Sequence, residues 1–224
     1  MPLSALIFDV DGTLAETEEI HRLAFERTFA EEGLGWVWDV DLYRALLRVT
    51  GGKERIRHFV ATSGVAPIDE ARVARLHERK NEIYGEIVRA GGAGLRPGMA
   101  ALIERARAAG IRLALSTTTS RSNVAALLAG SFAGMPDDLF DPIVAGEDVA
   151  QKKPDPEAYH QVLARLGLPA EACLVFEDSW NGLTAARGAG LRTIVTPSLY
   201  TAHEDFTGAA RVVADLTDFD LADW

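Results

Sequence analysis

The sequence predicts an α/β fold, with a doubly wound parallel sheet and an inserted α-helical cap. Short apolar runs alternate with amphipathic stretches, as they do where parallel strands are joined by helices. The runs lack the apolar–polar alternation of a half-exposed strand, so we expect strands buried on both faces. The predicted strands are residues 3–8, 111–115, 142–145, 173–176, 193–195 and 211–214.

The amphipathic stretches between these runs predict the helices of the core. Residues 98–109 place apolar side chains at helical spacing, with Pro97 before the stretch and Gly110 after it. The remaining core helices are predicted over residues 123–128, 156–166 and 179–189.

One long segment, residues 17–92, contains helical material and no convincing strand. It follows the first strand directly, at the edge where such sheets bind ligands, so we interpret it as a cap over a core of residues 1–16 and 93–224. Its exit, Gly-Gly-Ala-Gly at residues 91–94, is a candidate hinge. Helices within the cap are predicted over residues 20–31, 41–49, 54–62 and 69–89.

Composition narrows the class of protein. The chain has 224 residues, of which 48% are hydrophobic and 25% charged, which is typical of a globular protein with a sizeable core. Its net charge of -10 disfavours a nucleic-acid partner. The single Cys173, in an apolar run, predicts a buried thiol and fits a cytoplasmic protein. We expect no signal peptide, no membrane association, and a monomer or weak dimer.

Two acidic residues close the first apolar run, in the segment FDVDGTL at residues 8–14. Side chains alternate along a strand, so Asp9 and Asp11 are expected on one side, with Val10 pointing into the protein. Two carboxylates this close repel each other, and a bound Mg²⁺ would relieve the repulsion. The alternative is an acidic turn, because Asp and Gly are common turn residues.

Polar residues follow three other apolar runs. Ser116 and Thr117 stand before a predicted helix, where hydroxyls and amides bind anions or simply cap the helix. Lys153 lies in a loop rich in proline and is either a point charge for a phosphoryl group or a solvated lysine. Glu177 and Asp178 end the fourth run, where one of them could instead cap the next helix.

The order of these groups favours a site over the separate alternatives. It runs acidic pair, hydroxyl, lysine, acidic pair, with each group at or just beyond the carboxyl end of a predicted strand. These ends share one edge of a doubly wound sheet, so all four groups should meet in one crevice.

This set resembles the motifs of the haloacid-dehalogenase superfamily over essentially the whole chain. DVDGT at residues 9–13 resembles its first motif, Ser116 its second, Lys153 its third, and the acidic pair 177–178 its fourth. The cap resembles that of the subgroup containing beta-phosphoglucomutase and phosphoglycolate phosphatase. TGGKER at residues 50–55 resembles the CbbY branch, which is associated with carbon-fixation operons and dephosphorylates xylulose bisphosphate, an inhibitor of Rubisco.

The resemblance implies a Mg²⁺-dependent phosphohydrolase that forms an aspartyl-phosphate on Asp9. Asp11 would protonate the departing sugar oxygen and later activate water, so its pKa is expected nearer neutrality than that of a free aspartate. The implied Mg²⁺ ligands are the carboxylates of Asp9 and Asp178 and the main-chain carbonyl of Asp11. Glu177 is expected outside the direct ligands or as a weak one.

The same resemblance assigns residues to substrate binding. Ser116, Thr117 and Lys153 are expected to contact the transferred phosphoryl group. Cap residues expected to face the leaving group or to hold a second phosphate are Thr17, Glu18, His21, Gly52, Lys53, Arg55 and Lys80. The alternative for the charged ones is a solvated helix face or a surface ion pair.

The sequence leaves three other functions open. A phosphosugar mutase would return the phosphoryl group to a bound sugar, although Thr13 resembles the phosphatases and beta-phosphoglucomutase carries Val there. The basic cap residues disfavour the small substrate of a phosphoglycolate phosphatase. An inactive phosphometabolite-binding protein on the same scaffold should have lost the nucleophile or metal ligands, which are all present.

Overall fold

A sheet of parallel strands forms the centre of the core. The computed structural model describes residues 2–133, 135–136 and 138–224. The strands are β1 (Ala5–Phe8), β2 (Arg112–Ser116), β3 (Ile143–Val144), β4 (Cys173–Glu177), β5 (Arg192–Val195) and β6 (Arg211–Val212). Their order is β3-β2-β1-β4-β5-β6 and every neighbouring pair is parallel, which confirms the predicted doubly wound sheet.

The helices within the described residues follow the predicted order. They are α1 (Glu18–Glu31), α2 (Val40–Leu46), α3 (Gly52–Thr62), α4 (Glu70–Ile87), α5 (Met99–Ala108), α6 (Arg121–Ser131), α7 (Glu157–Leu166) and α8 (Trp180–Gly188). The prediction for α6 was too short, because the helix begins directly after Ser120. A π-helical turn, Val88–Gly92, follows α4, and Gly91 within it has a φ of 86°.

Strand β1 is buried on both faces, as its continuous apolar run predicts. Leu6 and Phe8 pack in one hydrophobic cluster with residues of α5 and α6. Ala5 and Ile7 pack on the opposite face with residues of α7 and α8. Helices therefore cover both sides of the sheet, and its strand ends are the remaining places for a site.

The sheet register brings three strand ends to the same level. Phe8 pairs with Leu115 of β2 on one side and with Phe176 of β4 on the other. After β1 the chain builds β2 and β3 on one side, then crosses over to β4 on the other. The crevice at this switch in direction lies directly above β1 and β4.

The first four helices, α1 to α4, enclose an aromatic core of their own. Its buried members are Phe25, Phe29, Trp38, Tyr43, Leu46, Ile56, Phe59, Val73, Leu76 and Tyr200. Tyr200 belongs to the segment after β5, so the cap packs against the core through this ring.

The boundaries predicted for the cap, residues 17 and 92, stay a prediction. In the described part of the chain, no helix is both long and apolar enough to span a bilayer.

The two ends of α5 offer a matched test of packing. Gly98 and Gly110 both have positive φ, 82° and 71°, but a Cβ at Gly98 would overlap the main chain of Leu216 and Thr217. A Cβ at Gly110 meets nothing within 4 Å. Gly110→Ala should cost about 1 kcal/mol from its backbone conformation alone. Gly98→Ala should cost about 2 kcal/mol more, because the segment around Leu216 must shift.

Urea denaturation of the two variants measures this difference in the free energy of unfolding. Equal losses in both would show that the contact between the start of α5 and the C-terminal segment contributes nothing.

Candidate active site

The predicted site residues of the core meet at the carboxyl edge of the sheet. Asp9 follows β1, Ser116 ends β2, and Glu177 ends β4 with Asp178 directly after it. Oxygens of Asp9, Glu177 and Asp178 all lie within 4.8 Å of one another, and the three residues are buried. Segments that are more than 160 residues apart are joined here by the register of β1 with β4.

The ammonium of Lys153 links this carboxylate cluster to β2. Its Nζ donates to Asp9 Oδ1 at 2.8 Å, to Glu177 Oε1 at 2.6 Å and to the Ser116 carbonyl at 2.7 Å. All three ammonium protons are therefore used. Burial lowers the pKa of Lys153, but the charges of Asp9 and Glu177 outweigh burial and raise this pKa to about 12.

The carboxylates carry more negative charge than Lys153 can neutralise. Burial raises the pKa of Asp9 well above its ordinary value, with a further contribution from Glu177, although Lys153 opposes the rise. Burial and the charges of Asp9 and Glu177 likewise raise the pKa of Asp178. A divalent cation would stabilise the ionised forms of both aspartates, and hard carboxylate oxygens suit Mg²⁺. This cluster of carboxylate oxygens therefore fits Mg²⁺, the ion that the sequence predicts.

Glu177 faces Lys153 and the protein interior. Its Oε1 accepts hydrogen bonds from Lys153 and from the hydroxyl of Tyr159. Gly182 lies so close that a Cβ there would overlap the Glu177 carboxylate. Because Glu177 Oε1 is occupied in this way, the carboxylates of Asp9 and Asp178 are freer than that of Glu177 to bind a metal ion.

The Asp11 carboxylate has different partners from Asp9. Its Oδ1 accepts from Thr17 Oγ1 at 2.6 Å and lies 2.9 Å from His21 Nε2. Strand alternation does not extend to Asp11, because β1 ends at Phe8 and the chain turns through Gly12 at a φ of 80°. A Cβ on Gly12 would overlap the Asp178 carboxylate.

The expectation that the pKa of Asp11 lies nearer neutrality is wrong. Burial alone would raise this pKa, but the charge of His21 and hydrogen bonds from His21 and Thr17 outweigh it. The pKa of Asp11 is consequently below its ordinary value, with a smaller contribution from Lys80.

Lys80 approaches the site from α4. Its Nζ lies 2.5 Å from His21 Nδ1, and the Tyr84 ring stacks on His21 at a centroid distance of 4.1 Å. Lys80 is buried, and burial lowers its pKa to about 7. Asp11, His21 and Lys80 thus form one continuous polar chain from core to cap.

Two neighbouring cavities lie between the core and the cap. A cavity of about 70 Å³ is lined by Asp9, Asp11, Thr117, Lys153 and Asp178 among others. A larger one, of about 830 Å³, is lined by predicted substrate residues of the cap, namely Glu18, His21, Gly52, Lys53, Arg55 and Lys80. Asp11, Glu18 and Arg55 border both cavities, so the two adjoin. Thr17 and Ser116 are fully buried and border neither.

The charged cap residues differ in their surroundings. Arg55 is buried and donates to the hydroxyl of Tyr43, which in turn donates to Glu18 at 2.9 Å. Lys53 is exposed on the rim of the larger cavity, with its ammonium available to a ligand. The surface ion-pair alternative fits neither Arg55 nor Lys80, because both are buried, whereas the exposure of Lys53 is also that of a solvated lysine.

Several residues that contact the site were missed by sequence reasoning. Thr201 donates to Asp178, Tyr159 donates to Glu177, and Thr50 Oγ1 donates to the Lys153 carbonyl at 2.5 Å. Arg96 donates to the carbonyl of Gly12. Thr50 begins the 50–55 segment, but that motif did not predict a contact with Lys153. Tyr159, Arg96 and Thr201 look like ordinary polar or core positions in sequence.

Comparisons with known proteins agree with this geometry. The family model described as haloacid dehalogenase-like hydrolase matches residues 3–190. Protein CbbY from Rhodobacter capsulatus is 54% identical over 217 residues, which cover 97% of this chain and 95% of that protein. The crystal structure of CbbY from Rhodobacter sphaeroides in complex with phosphate is 48% identical, with a TM-score of 0.94 and 98% of each chain covered. A mutant of that CbbY in complex with xylulose-(1,5)bisphosphate matches equally well.

The chain belongs to the haloacid dehalogenase-like hydrolase family. Within the family it falls in the CbbY-like subgroup, as its 50–55 segment indicated. The family and these relatives support a phosphatase.

Lys80 gives a test of the electrostatics by the pH dependence of stability. Its folded pKa of about 7 lies below the ordinary 10.5, so between these values the unfolded chain binds more protons and stability rises with pH. Below pH 7 the buried Lys80 is charged in the folded state, and this is where it lowers the free energy of unfolding most. Lys80→Met removes that charge. Lys80→Met should therefore gain more stability at pH 6 than at pH 9, by about 2–3 kcal/mol at ~1.4 kcal/mol per pH unit.

Urea denaturation at both pH values, without Mg²⁺, provides the measurement, and Lys53→Met is the control because that lysine is exposed. A Lys80→Met effect as independent of pH as that of Lys53→Met would contradict a lowered pKa at Lys80.

Proposed function

We propose that this protein is a Mg²⁺-dependent phosphatase that hydrolyses a small sugar phosphate through an aspartyl-phosphate on Asp9. The observation that carries the proposal is the buried Asp9 carboxylate, which accepts from Lys153 and lies near Asp178. It borders a small cavity that adjoins a larger one lined by Lys53 and Arg55. The relative solved with xylulose-(1,5)bisphosphate supports that bisphosphate as the substrate and xylulose 5-phosphate as the product. The enzyme would then remove an inhibitor of Rubisco and serve carbon fixation.

In the first step an oxygen of Asp9 attacks phosphorus while the bond from phosphorus to the sugar oxygen breaks. Lys153 holds Asp9 Oδ1 and favours the ionised, nucleophilic carboxylate. Asp9, Asp178 and the main-chain carbonyl of Asp11 would hold Mg²⁺, which when bound neutralises charge on the phosphoryl oxygens. Ser116 Oγ has no hydrogen-bond partner among the described residues, but it is fully buried and borders neither cavity, so its contact with the phosphoryl group stays a prediction.

The proton for the departing sugar oxygen comes from the contact between Asp11 and His21. Because its pKa is lowered, the Asp11 carboxyl is ionised before the substrate binds, so the proton reaches it from His21 Nε2 across 2.9 Å, and Lys80 Nζ, 2.5 Å from His21 Nδ1, replaces it. In the second step the pair takes a proton from the water whose oxygen attacks the aspartyl-phosphate. The bond between phosphorus and Asp9 then breaks, which releases inorganic phosphate and restores the carboxylate.

Residues 17–92 act in this proposal as a lid that selects the substrate. The two connections to the core lie side by side, because Ala15 and Leu95 form an antiparallel bridge. Gly91, at a φ of 86°, provides a flexible position for the hinge. Lys53, Arg55 and Lys80 would hold the second phosphate of a bisphosphate.

The remaining expectations concern the setting of the enzyme. A small phosphorylated sugar and Mg²⁺ are the only partners that the proposal needs. A monomer or weak dimer and a cytoplasmic location stay predictions from the sequence.

The nucleophile is tested by release of inorganic phosphate from xylulose 1,5-bisphosphate. Asp9→Asn should lower the rate about a thousandfold or more, because an amide oxygen does not form the covalent intermediate. Chelation of Mg²⁺ should abolish release by the wild type. Asp41→Asn is the matched control, since the Asp41 side chain is 92% exposed. Equal and appreciable rates for Asp9→Asn and wild type would exclude Asp9, and an isomerised sugar phosphate without phosphate release would indicate a mutase.

The substrate class is tested by Lys53→Met. The variant should lose about tenfold or more in kcat/KM for xylulose 1,5-bisphosphate, because a charged hydrogen bond to the distal phosphate is lost. Hydrolysis of xylulose 1-phosphate, which lacks that phosphate, should change little. Arg57→Met on the same helix is the control, since Arg57 pairs with Glu70 on the surface. Equal losses for both substrates would contradict a distal-phosphate contact, and a screen in which only phosphoglycolate is cleaved would exclude the bisphosphate.

A further inference from the structure

The hydroxyl of Thr201 contacts Asp178 at two atoms. Thr201 lies in the segment after β5, 23 residues beyond Asp178, and both side chains are buried. Its Oγ1 donates to the Asp178 carbonyl at 2.7 Å and lies 3.2 Å from Asp178 Oδ2. One hydroxyl thus contacts both the main chain and the carboxylate of the same residue.

The direction of the Thr201 proton follows from its other partners. Thr201 Oγ1 accepts from the Ser198 amide at 2.9 Å, and Ser198 Oγ lies 3.0 Å away. A carbonyl oxygen only accepts, so the Thr201 proton must point towards Asp178, while the Ser198 hydroxyl donates to Thr201 or to the Asp178 carboxylate. The hydroxyl is then fully satisfied, and its orientation is fixed before any ligand binds.

Thr201 is held from both sides. Arg96 donates to the Thr196 carbonyl at 2.7 Å and to the Pro197 carbonyl at 2.9 Å, which ties the segment to the core. The neighbouring Tyr200 is buried in the aromatic cluster of the cap, and its hydroxyl donates to Glu19 of α1. A donor fixed in this way can resist the repulsion that Asp9 and Glu177 exert on the Asp178 carboxylate.

We propose that Thr201 is a positioning residue for Asp178, which keeps its carboxylate oriented for a divalent cation. The inference rests on the proposed function, in which Asp178 is a ligand of Mg²⁺. Without the hydroxyl, the Asp178 carboxylate can turn away from Asp9, and the protein must restore its orientation when the ion binds. Loss of such an orienting partner weakens metal affinity by about 10–100-fold.

The test is the Kd of Mg²⁺ alone, measured by isothermal titration calorimetry on the full chain without substrate. Thr201→Val keeps the shape and removes the hydroxyl, so it should weaken Mg²⁺ about tenfold or more. Thr201→Ser keeps the hydroxyl and should restore the Kd to near the wild-type value. At saturating Mg²⁺, Thr201→Val should recover most of kcat with the KM for the sugar phosphate unchanged.

Two controls separate positioning from a general loss of structure. Thr193 is buried and its hydroxyl has no hydrogen-bond partner among the described residues, so Thr193→Val should leave the Kd unchanged. Thr201→Ala gives a second removal of the hydroxyl if Thr201→Val proves too unstable to purify, and the same loss of affinity is expected.

Asp178→Asn distinguishes a failure of the role proposed for Thr201 from a failure of the proposed metal site. If Asp178→Asn loses Mg²⁺ binding while Thr201→Val and Thr201→Ala bind as wild type, the role of Thr201 is refuted and the proposed metal site stands. If Asp178→Asn binds Mg²⁺ as tightly as wild type, the metal site itself is wrong and the role of Thr201 fails with it.

Discussion

The buried ammonium of Lys153 donates to Asp9, to Glu177 and to the main-chain carbonyl of Ser116, which stand at the ends of three different strands. An ammonium removed from water costs several kcal/mol unless good partners surround it. The loop that carries Lys153 is therefore stable only when β1, β2 and β4 stand in the observed register. Removing either carboxylate would leave a buried charge only partly compensated, so folding and chemistry depend on the same contacts.

The core half of the site could be predicted from sequence because its signals are local. Asp9, Ser116 and the 177–178 pair each follow an apolar run, and the carboxyl ends of parallel strands share one edge of a sheet. Neither the angle between strands nor the packing of helices was needed to place them together. The fold class was predictable for the same reason, since the alternation of runs and amphipathic stretches repeats along the core. Helix boundaries were less accurate, as the start of α6 shows.

The other half depends on contacts between elements, and the sequence predicted several of its residues but not those contacts. The pKa of Asp11 was expected nearer neutrality, yet His21 and Thr17 from the start of the cap lower it. Lys80 reaches His21 from 59 residues away, across a packing angle that no residue pattern specifies. Thr201 is similar, because nothing in its own neighbourhood distinguishes a residue that orients Asp178 from one that merely ends a turn.

Contacts between cap and core lie next to the catalytic groups but are individually weak. Thr50 donates to the Lys153 carbonyl, and Tyr200, beside Thr201, donates to Glu19. A hydrogen bond of this kind contributes about 0.5–1.5 kcal/mol net, so a few such bonds hold a closed state without trapping it. A lid of the kind proposed, which would admit a sugar phosphate and release phosphate in every cycle, needs that balance. Thr50 contacts Lys153 itself, and Tyr200 adjoins Thr201, which contacts Asp178. Closure of the cap and order in the carboxylate cluster are therefore expected to stabilise each other.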